Sequence, residues 1–366
     1  CIWIGGSMKR VPLIIFGAGN VGRALVRQLT EASQLHAERD GLRFRIVAWC
    51  DIDGAAVDED GLSAEDLQAI AGAKKAGEPF PLSQPNYEPD LRAIVEVAGT
   101  AGCIVADVTA SPATVPALQF ALRSGYRAAT ANKIPLVGPQ AVFDDLTGSK
   151  RFRYETTVGS AVPVIEATLG LVRAADKVES VQGALSGTLG FLCTGLQSGR
   201  PFSSLVAEAM QAGYTEPDPR IDLGGMDVAR KALIVARTLG WKLELSDVQV
   251  AGLLPAEYAD LSLDGCLARL PELDAGFAAQ VAEAAAQGQV LRYIAEIKDG
   301  RAAVGMRAVP ADSALGQLKG NDNLVAFRTR YYPDTPLVLQ GRGAGVEAAA
   351  AGVHADIVAL AQYGED

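Results

Sequence analysis

The chain has 366 residues, 49% of them apolar and 21% charged, the makeup of ordinary globular protein and enough for two domains at about 150 residues each. Its 43 acidic and 33 basic residues leave a net charge of −10, which argues against non-specific binding to nucleic acid or anionic lipid. No run of 18 apolar residues occurs, so no membrane span is expected.

The opening stretch, CIWIGGS before Met8, is too short and too glycine-rich for a signal peptide; Met8 is the expected natural start. Residues 11–16 (VPLIIF) form an apolar run that reads as a buried strand. The turn Gly17-Ala18-Gly19-Asn20-Val21-Gly22 follows at once, and then a segment with apolar residues at helical spacing. Residues 43–50 (RFRIVAWC) read as a second strand closing on Asp51, and residues 54–78 as an Ala- and charge-rich helical insertion. Residues 92–98 and 103–109 are the next strand candidates, the latter ending in Asp107 and Thr109. A helix over 113–124 stops at Gly125, the usual left-handed cap, and a strand over 126–130 follows. Strands alternating with helices predict a parallel sheet.

Near residue 150 the pattern changes. Residues 151–158 and 177–186 read as strands, and 164–174, 187–198, 203–212 and 225–239 as helices, the last two capped by Gly213 and Gly240. Strand-like segments recur over 290–330, and the tail from 344 is Ala-rich and helical. The expected fold is α/β: a Rossmann-type doubly wound parallel sheet over 8–150, plus a second, α+β domain over 151–335.

Gly17, Gly19 and Gly22 fit G-x-G-x-x-G in its required setting, strand before and helix after. The first glycine permits the tight turn, the second lets backbone approach a pyrophosphate, and the third lets helix and strand pack closely. The helix N-terminus offers unpaired N–H groups to phosphate. The turn 17–22 and Thr109 are therefore candidate dinucleotide contacts. Asp51 either bonds a ribose 2′-OH, which would favour NAD over NADP, or simply ends a strand; it comes later than the usual ~20 residues after the glycines.

The most unusual stretch is 213–231, GYTEPDPRIDLGGMDVARK. Pro217 and Pro219 hold it extended, so that Glu216, Asp218, Asp222 and Asp227 can be aimed. Asp227 and Lys231 stand i,i+4 on one face of the next helix; the plain reading of that spacing is a solvated ion pair. Lys133 follows a parallel strand, where ligands of such sheets bind, or begins a surface loop. Hydride transfer to an aldehyde builds charge on oxygen, which a lysine stabilises and protonates. Burial lowers the pKa of such a lysine, and the carboxylates suit an ammonium on the substrate. With two histidines and five scattered cysteines lacking any C-x-x-C pair, His-ligated metal and a Ser-His-Asp triad are disfavoured, and a reducing cytoplasmic compartment is expected.

The sequence resembles the homoserine dehydrogenase family from residue 11 onward. The resemblance rests on GAGNVG, DVTASP (107–112), ATANKIPLV (129–137), YETTVGSAVPVI (154–165), SGTLGFL (186–192), the 213–231 stretch and GRGAGVEAAAAGVHAD (341–356). Several segments are most similar to the dehydrogenase half of bifunctional aspartokinase–homoserine dehydrogenases, here without the kinase. The resemblance implies NAD(P)-dependent interconversion of L-homoserine and L-aspartate 4-semialdehyde, on the route to threonine and methionine. It implies Lys231 as proton donor and acceptor, Lys133 beside cofactor and substrate, and Glu216, Asp222 and Asp227 as substrate-binding groups. It further implies Gly213 and Gly345 close to the cofactor, a sodium ion on the backbone carbonyls of Glu155, Val158, Ser160 and Val162, a tail (336–366) that completes the first domain, and a homodimer built by the second.

Gly190 departs from the family, where many members carry Asn. The chain ends after the core, so threonine feedback through an appended regulatory domain is not expected. The alternatives are a two-domain dehydrogenase for another amino-acid aldehyde and a catalytically silent nucleotide sensor. An aspartate-semialdehyde dehydrogenase would need a nucleophilic cysteine in a recognisable motif, and none of the five has one.

Overall fold

A computed structural model describes residues 8–81 and 90–363; residues 1–7, with the question of the natural start, lie outside the described residues. The chain divides into two compact units, one comprising Cys1–Ala161 with Gly345–Asp366 and the other Val162–Ala344.

The first unit is built on six strands: β1 (Lys9–Phe16), β2 (Leu42–Asp51), β3 (Gly54–Val57), β4 (Ile104–Asp107), β5 (Arg127–Thr130) and β6 (Phe152–Arg153). Their order in the sheet is β3-β2-β1-β4-β5-β6. All neighbours run parallel except β3, which folds back antiparallel on β2. Strands β4 and β5 are buried at every position, as strands covered on both faces must be. The helix Asn20–Glu31 buries Ala24, Leu25, Val26 and Leu29. The tail helix Val346–Gln362 adds Ala350, Val353, Ile357 and Leu360 to the same core.

Three expected elements come out differently. Residues 92–98 form a helix, Leu91–Ala98, not a strand: the Asp90 carboxylate accepts from the N–H groups of Arg92 and Ala93, and such a cap outweighs the valines' strand preference. Residues 54–78 are not helical throughout, because Gly54–Val57 returns as β3 before a helix begins at Ala64 under a Ser63/Asp66 capping box. Residues 151–158 contribute only the short β6, which pairs with β5; the chain then coils into the helix Thr156–Gly159.

The second unit carries β7 (Val178–Ala184), β8 (Gln249–Val250), β9 (Gln289–Lys298), β10 (Arg301–Pro310), β11 (Asp322–Thr329) and β12 (Leu337–Arg342), in the order β12-β11-β7-β9-β10-β8. Its pairings are antiparallel apart from β8 on β10. Strand β12 had no sequence signal of its own: its residues are partly buried to exposed, as at a sheet edge. The helix Met226–Thr238 is buried almost all round, Lys231, Ile234 and Thr238 included, so its apolar stripe understates how deeply it sits. Among the described residues, no helix is long and apolar enough to cross a membrane.

Candidate functional site

In the first unit the glycine turn has the geometry its spacing requires. Gly17 sits at φ +105°, where L side chains are strained. Its N–H donates to the Cys50 carbonyl at 2.8 Å, and its own carbonyl accepts from the Trp49 indole at 3.1 Å. A Cβ on Gly22 would collide with the Gly17 carbonyl, whereas a Cβ on Gly19 would meet nothing within 4 Å. Gly19 is also the N-cap of the helix Asn20–Glu31 and lacks a side-chain cap. Two glycines therefore permit close packing and one leaves open space at a helix N-terminus, which is what a pyrophosphate needs. Arg23 braces the turn by donating to the Ala18 carbonyl at 2.9 Å and Asn20 Oδ1 at 2.7 Å. Val21 packs against the core.

Asp51 ends β2 as expected, but it is engaged. Its Oδ1 accepts from the Ile52 N–H at 2.9 Å, and Lys74 Nζ lies 3.0 Å from its Oδ2. Lys74 comes from the helix Ala64–Ala76, and no sequence signal had marked it.

Beyond β4 and β5 lies a buried polar network. Asp107 is fully buried. Burial pushes its carboxyl above the usual carboxylate range, and hydrogen bonds from Thr109, Thr114 and Asn132 oppose that shift. Thr109 donates to Asp107 Oδ1 through its N–H at 3.0 Å and its hydroxyl at 2.7 Å. The Asn132 amide nitrogen donates to Asp107 Oδ2 at 3.1 Å and to the Ser111 carbonyl at 2.8 Å. Asn132 Oδ1 accepts from the Ile134 N–H at 3.0 Å, which fixes the turn on which Lys133 caps the helix Ile134–Val137. Thr109 and Lys133 are thus tied to one scaffold, and its centre, Asn132, was missed in the sequence although it stands beside the residue chosen.

In the second unit the acidic loop and the lysine meet. Gly225, at φ +75°, starts the helix Met226–Thr238, and a Cβ there would collide with the Tyr293 hydroxyl. This close approach presses the helix against β9. Lys231 is 9% exposed. Its Nζ donates to the Leu185 carbonyl at 2.7 Å and lies 3.0 Å from Asp227 Oδ2, so the i,i+4 pair is no solvated surface bridge. Asp222 accepts from the Glu216 N–H at 2.8 Å and from the Thr188 hydroxyl at 3.4 Å. Burial pushes the Asp222 carboxyl upward; the Glu216 N–H and Thr188 lower it, while the charges of Glu216 and Asp227 raise it further. Thr188 also donates to the Tyr214 carbonyl, joining the SGTLGFL segment to the acidic loop. Asp218 is held by Arg220, whose Nη1 donates to the Leu261 carbonyl at 2.6 Å; the loop owes its rigidity to that arginine as well as to its prolines.

Of the remaining candidates, Gly213 (φ +69°) caps the preceding helix in open space, and Gly345 (φ +123°) starts the tail helix, also in open space. Around 155–160 the Glu155 carbonyl accepts from the Val158 N–H at 3.4 Å, and Ser160 turns the chain at φ 56°. Val162, the first residue of the second unit, accepts from the Val164 N–H at 2.8 Å. Among the described residues, no group of three or more His, Cys, Asp or Glu side chains could hold a metal. At Gly190 a Cβ would lie 3.0 Å from the Gly320 carbonyl oxygen, so a larger residue there would require that loop to shift.

A family model described as homoserine dehydrogenase matches residues 163–358. The chain is 36% identical over 98% of its length to the bifunctional aspartokinase/homoserine dehydrogenase of Haemophilus influenzae, of which it spans 43%. It thus covers less than half the length of that relative. It is 38% identical over 70% of its length to the homoserine dehydrogenase of Emericella nidulans, covering 74% of that protein. A hyperthermophilic archaeal homoserine dehydrogenase in complex with NADPH shares the fold, with a TM-score of 0.73 at 21% identity, over 96% of this chain and 97% of that one.

Proposed function

The chain belongs to the homoserine dehydrogenase family, and on that premise we propose that it interconverts L-homoserine and L-aspartate 4-semialdehyde with NAD or NADP, on the route to threonine and methionine. The observation that carries the reading is the clamped ammonium of Lys231, nearly buried between the Leu185 carbonyl and Asp227. A surface lysine has no use for such a clamp. A lysine that must hand a proton to a developing alkoxide has every use for it.

The glycine turn fits a dinucleotide: open space at Gly19 and a helix N-terminus beside it suit the pyrophosphate. When bound, the nicotinamide supplies or accepts the hydride. In the reducing direction Lys231 gives its proton to the carbonyl oxygen as that oxygen becomes a hydroxyl; in the oxidising direction it takes the proton back. Asp227 holds the ammonium in position. Asp222 and Glu216 receive the ammonium of the substrate, with Thr188 fixing the Asp222 carboxylate. Lys133 presents its charge from the Asn132 scaffold, and Thr109, Gly213 and Gly345 are further cofactor contacts.

In this reading the first unit is the dinucleotide domain and the second the substrate-binding and dimerisation domain of a homodimer. A sodium ion on the carbonyls of Glu155, Val158, Ser160 and Val162 would have a structural role. The buried, free thiols of Cys50, Cys103, Cys193 and Cys266 support a reducing, cytoplasmic setting.

The test is a paired assay. Protein is mixed with L-homoserine and either NAD⁺ or NADP⁺ at alkaline pH, and the reduced-nicotinamide absorbance is followed. Turnover with at least one cofactor is expected; a folded protein that produces none with either is not this enzyme.

A further inference from the structure

We propose that a cleft at the end of the second unit's sheet binds a free amino-acid zwitterion with an apolar side chain. The cleft, of about 560 Å³, is bordered by the C-terminal ends of two helices, Val164–Arg173 and Met226–Thr238, and by the turn between β9 and β10. Its volume is in the range of small-molecule sites.

Asp176 lines it and is 8% exposed. One of its oxygens accepts from the Thr329 hydroxyl at 2.6 Å. The other, Oδ1, is buried and has no hydrogen-bond partner among the described residues. A buried carboxylate oxygen left unpaired is costly, and a ligand ammonium would satisfy it. The surroundings favour a cation at that point. Glu179 and Asp299 also line the cleft, and each helix C-terminus adds partial negative charge.

The wall is apolar and aromatic. Trp241 and Leu239 face the same space, and an indole tolerates both a hydrocarbon body and a neighbouring ammonium. Lys177 and Lys298, both exposed, complete the lining and suit a carboxylate at the solvent end. An amine alone would leave those lysines without a counter-charge, and an acid alone would leave Asp176 unpaired.

The cleft also touches both elements that clamp Lys231. The helix carrying Lys231 ends at Leu239, and β7 begins at Val178 in the cleft and ends just before Leu185. Binding here does not depend on the proposed reaction.

The test is calorimetric titration of the full chain with L-valine, L-leucine and L-phenylalanine, and with isopentylamine and 4-methylpentanoate as leucine lacking one or the other charge. At least one amino acid is expected to bind, at least tenfold more tightly than either half-probe, and to lose at least tenfold in both Asp176→Asn and Lys298→Met. The exposed Lys298→Met keeps the test open should Asp176→Asn fail to fold. The proposal is overturned if none of the three binds, if isopentylamine binds as tightly as leucine, or if binding survives in Lys298→Met and is lost only in Asp222→Ala, which would place it at the substrate groups.

Discussion

Lys74 holds the carboxylate of Asp51, with Nζ 3.0 Å from Oδ2. The same ammonium lies 3.0 Å from Oδ1 of Asp53. Burial lowers the pKa of the Lys74 amine, but hydrogen bonds and charge from Asp53 and Asp51 outweigh it, so the group stays cationic. The tip of β2 therefore carries both signs of charge. A carboxylate there selects the free 2′-OH of NAD, and an ammonium selects the 2′-phosphate of NADP. Paired, each weakens the other's preference, and Asp51 alone does not settle the choice of cofactor.

Single substitutions should separate the two. Asp51→Ala is expected to raise the KM for NAD and spare that for NADP; Lys74→Met should do the reverse. Each change in the ratio of kcat/KM values should be about tenfold, or ~1.4 kcal/mol. Initial rates with both cofactors decide it, and equal losses for NAD and NADP in both variants would remove the pair from cofactor choice.

Lys231→Met keeps the bulk of a side chain that is only 9% exposed, so the fold should survive. Turnover should fall by about 10²–10⁴, the usual contribution of a proton-transferring group, while dinucleotide binding, followed by fluorescence quenching, stays within twofold. Near-normal turnover would exclude Lys231 as the proton donor.

Much of this was legible in the sequence because it is written in side chains. Glycine spacing gave the turn at 17–22, and the 213–231 motif gave Asp222, Asp227 and Lys231, which the fold does gather. What was hidden depends on partners distant in sequence or on backbone. The Leu185 carbonyl that receives Lys231 has no residue signature. Lys74 reaches Asp51 from a helix whose register the sequence left open. Asn132 binds across to Asp107 and Ser111, a relationship that exists only once β4 and β5 lie side by side. The misread strand at 92–98 shows the local limit: a run with Ile and two valines was decided by one capping aspartate.

The three glycines of the turn should fail in different ways. Gly22→Ala places a methyl against the Gly17 carbonyl, and overpacking of that kind costs about 1–3 kcal/mol. Its melting temperature should drop even without cofactor. Gly19 has φ −67° and open space around it, so Gly19→Val should melt like the parent yet bind dinucleotide at least tenfold more weakly. Thermal melts with and without NAD(P)H separate the two effects; a Gly19→Val variant that binds normally would place the pyrophosphate elsewhere.

The chain's two histidines touch, His36 Nε2 lying 2.7 Å from His354 Nε2, while His36 Nδ1 meets Asp40 at 2.9 Å. This contact joins the helix Ser33–Asp40 to the tail helix within the first unit. Burial, then the charges of His36 and Arg39, push the His354 pKa down to about 4 from 6.5. The folded value lies below the unfolded one, so the unfolded chain binds the extra proton first. Stability is therefore full above about pH 6.5, declines as pH falls towards 4 and levels off below it. Because His354 keeps some solvent contact, screening reduces the loss to about 1–2 kcal/mol. Asp40, held low chiefly by its hydrogen bond from Arg39, adds its own loss only at more acid pH. Denaturant melts at pH 7.5 and pH 4.5 should show the decline in the parent and a smaller one in His354→Gln; an equal decline in both would mean that this histidine does not set the acid limit of the fold.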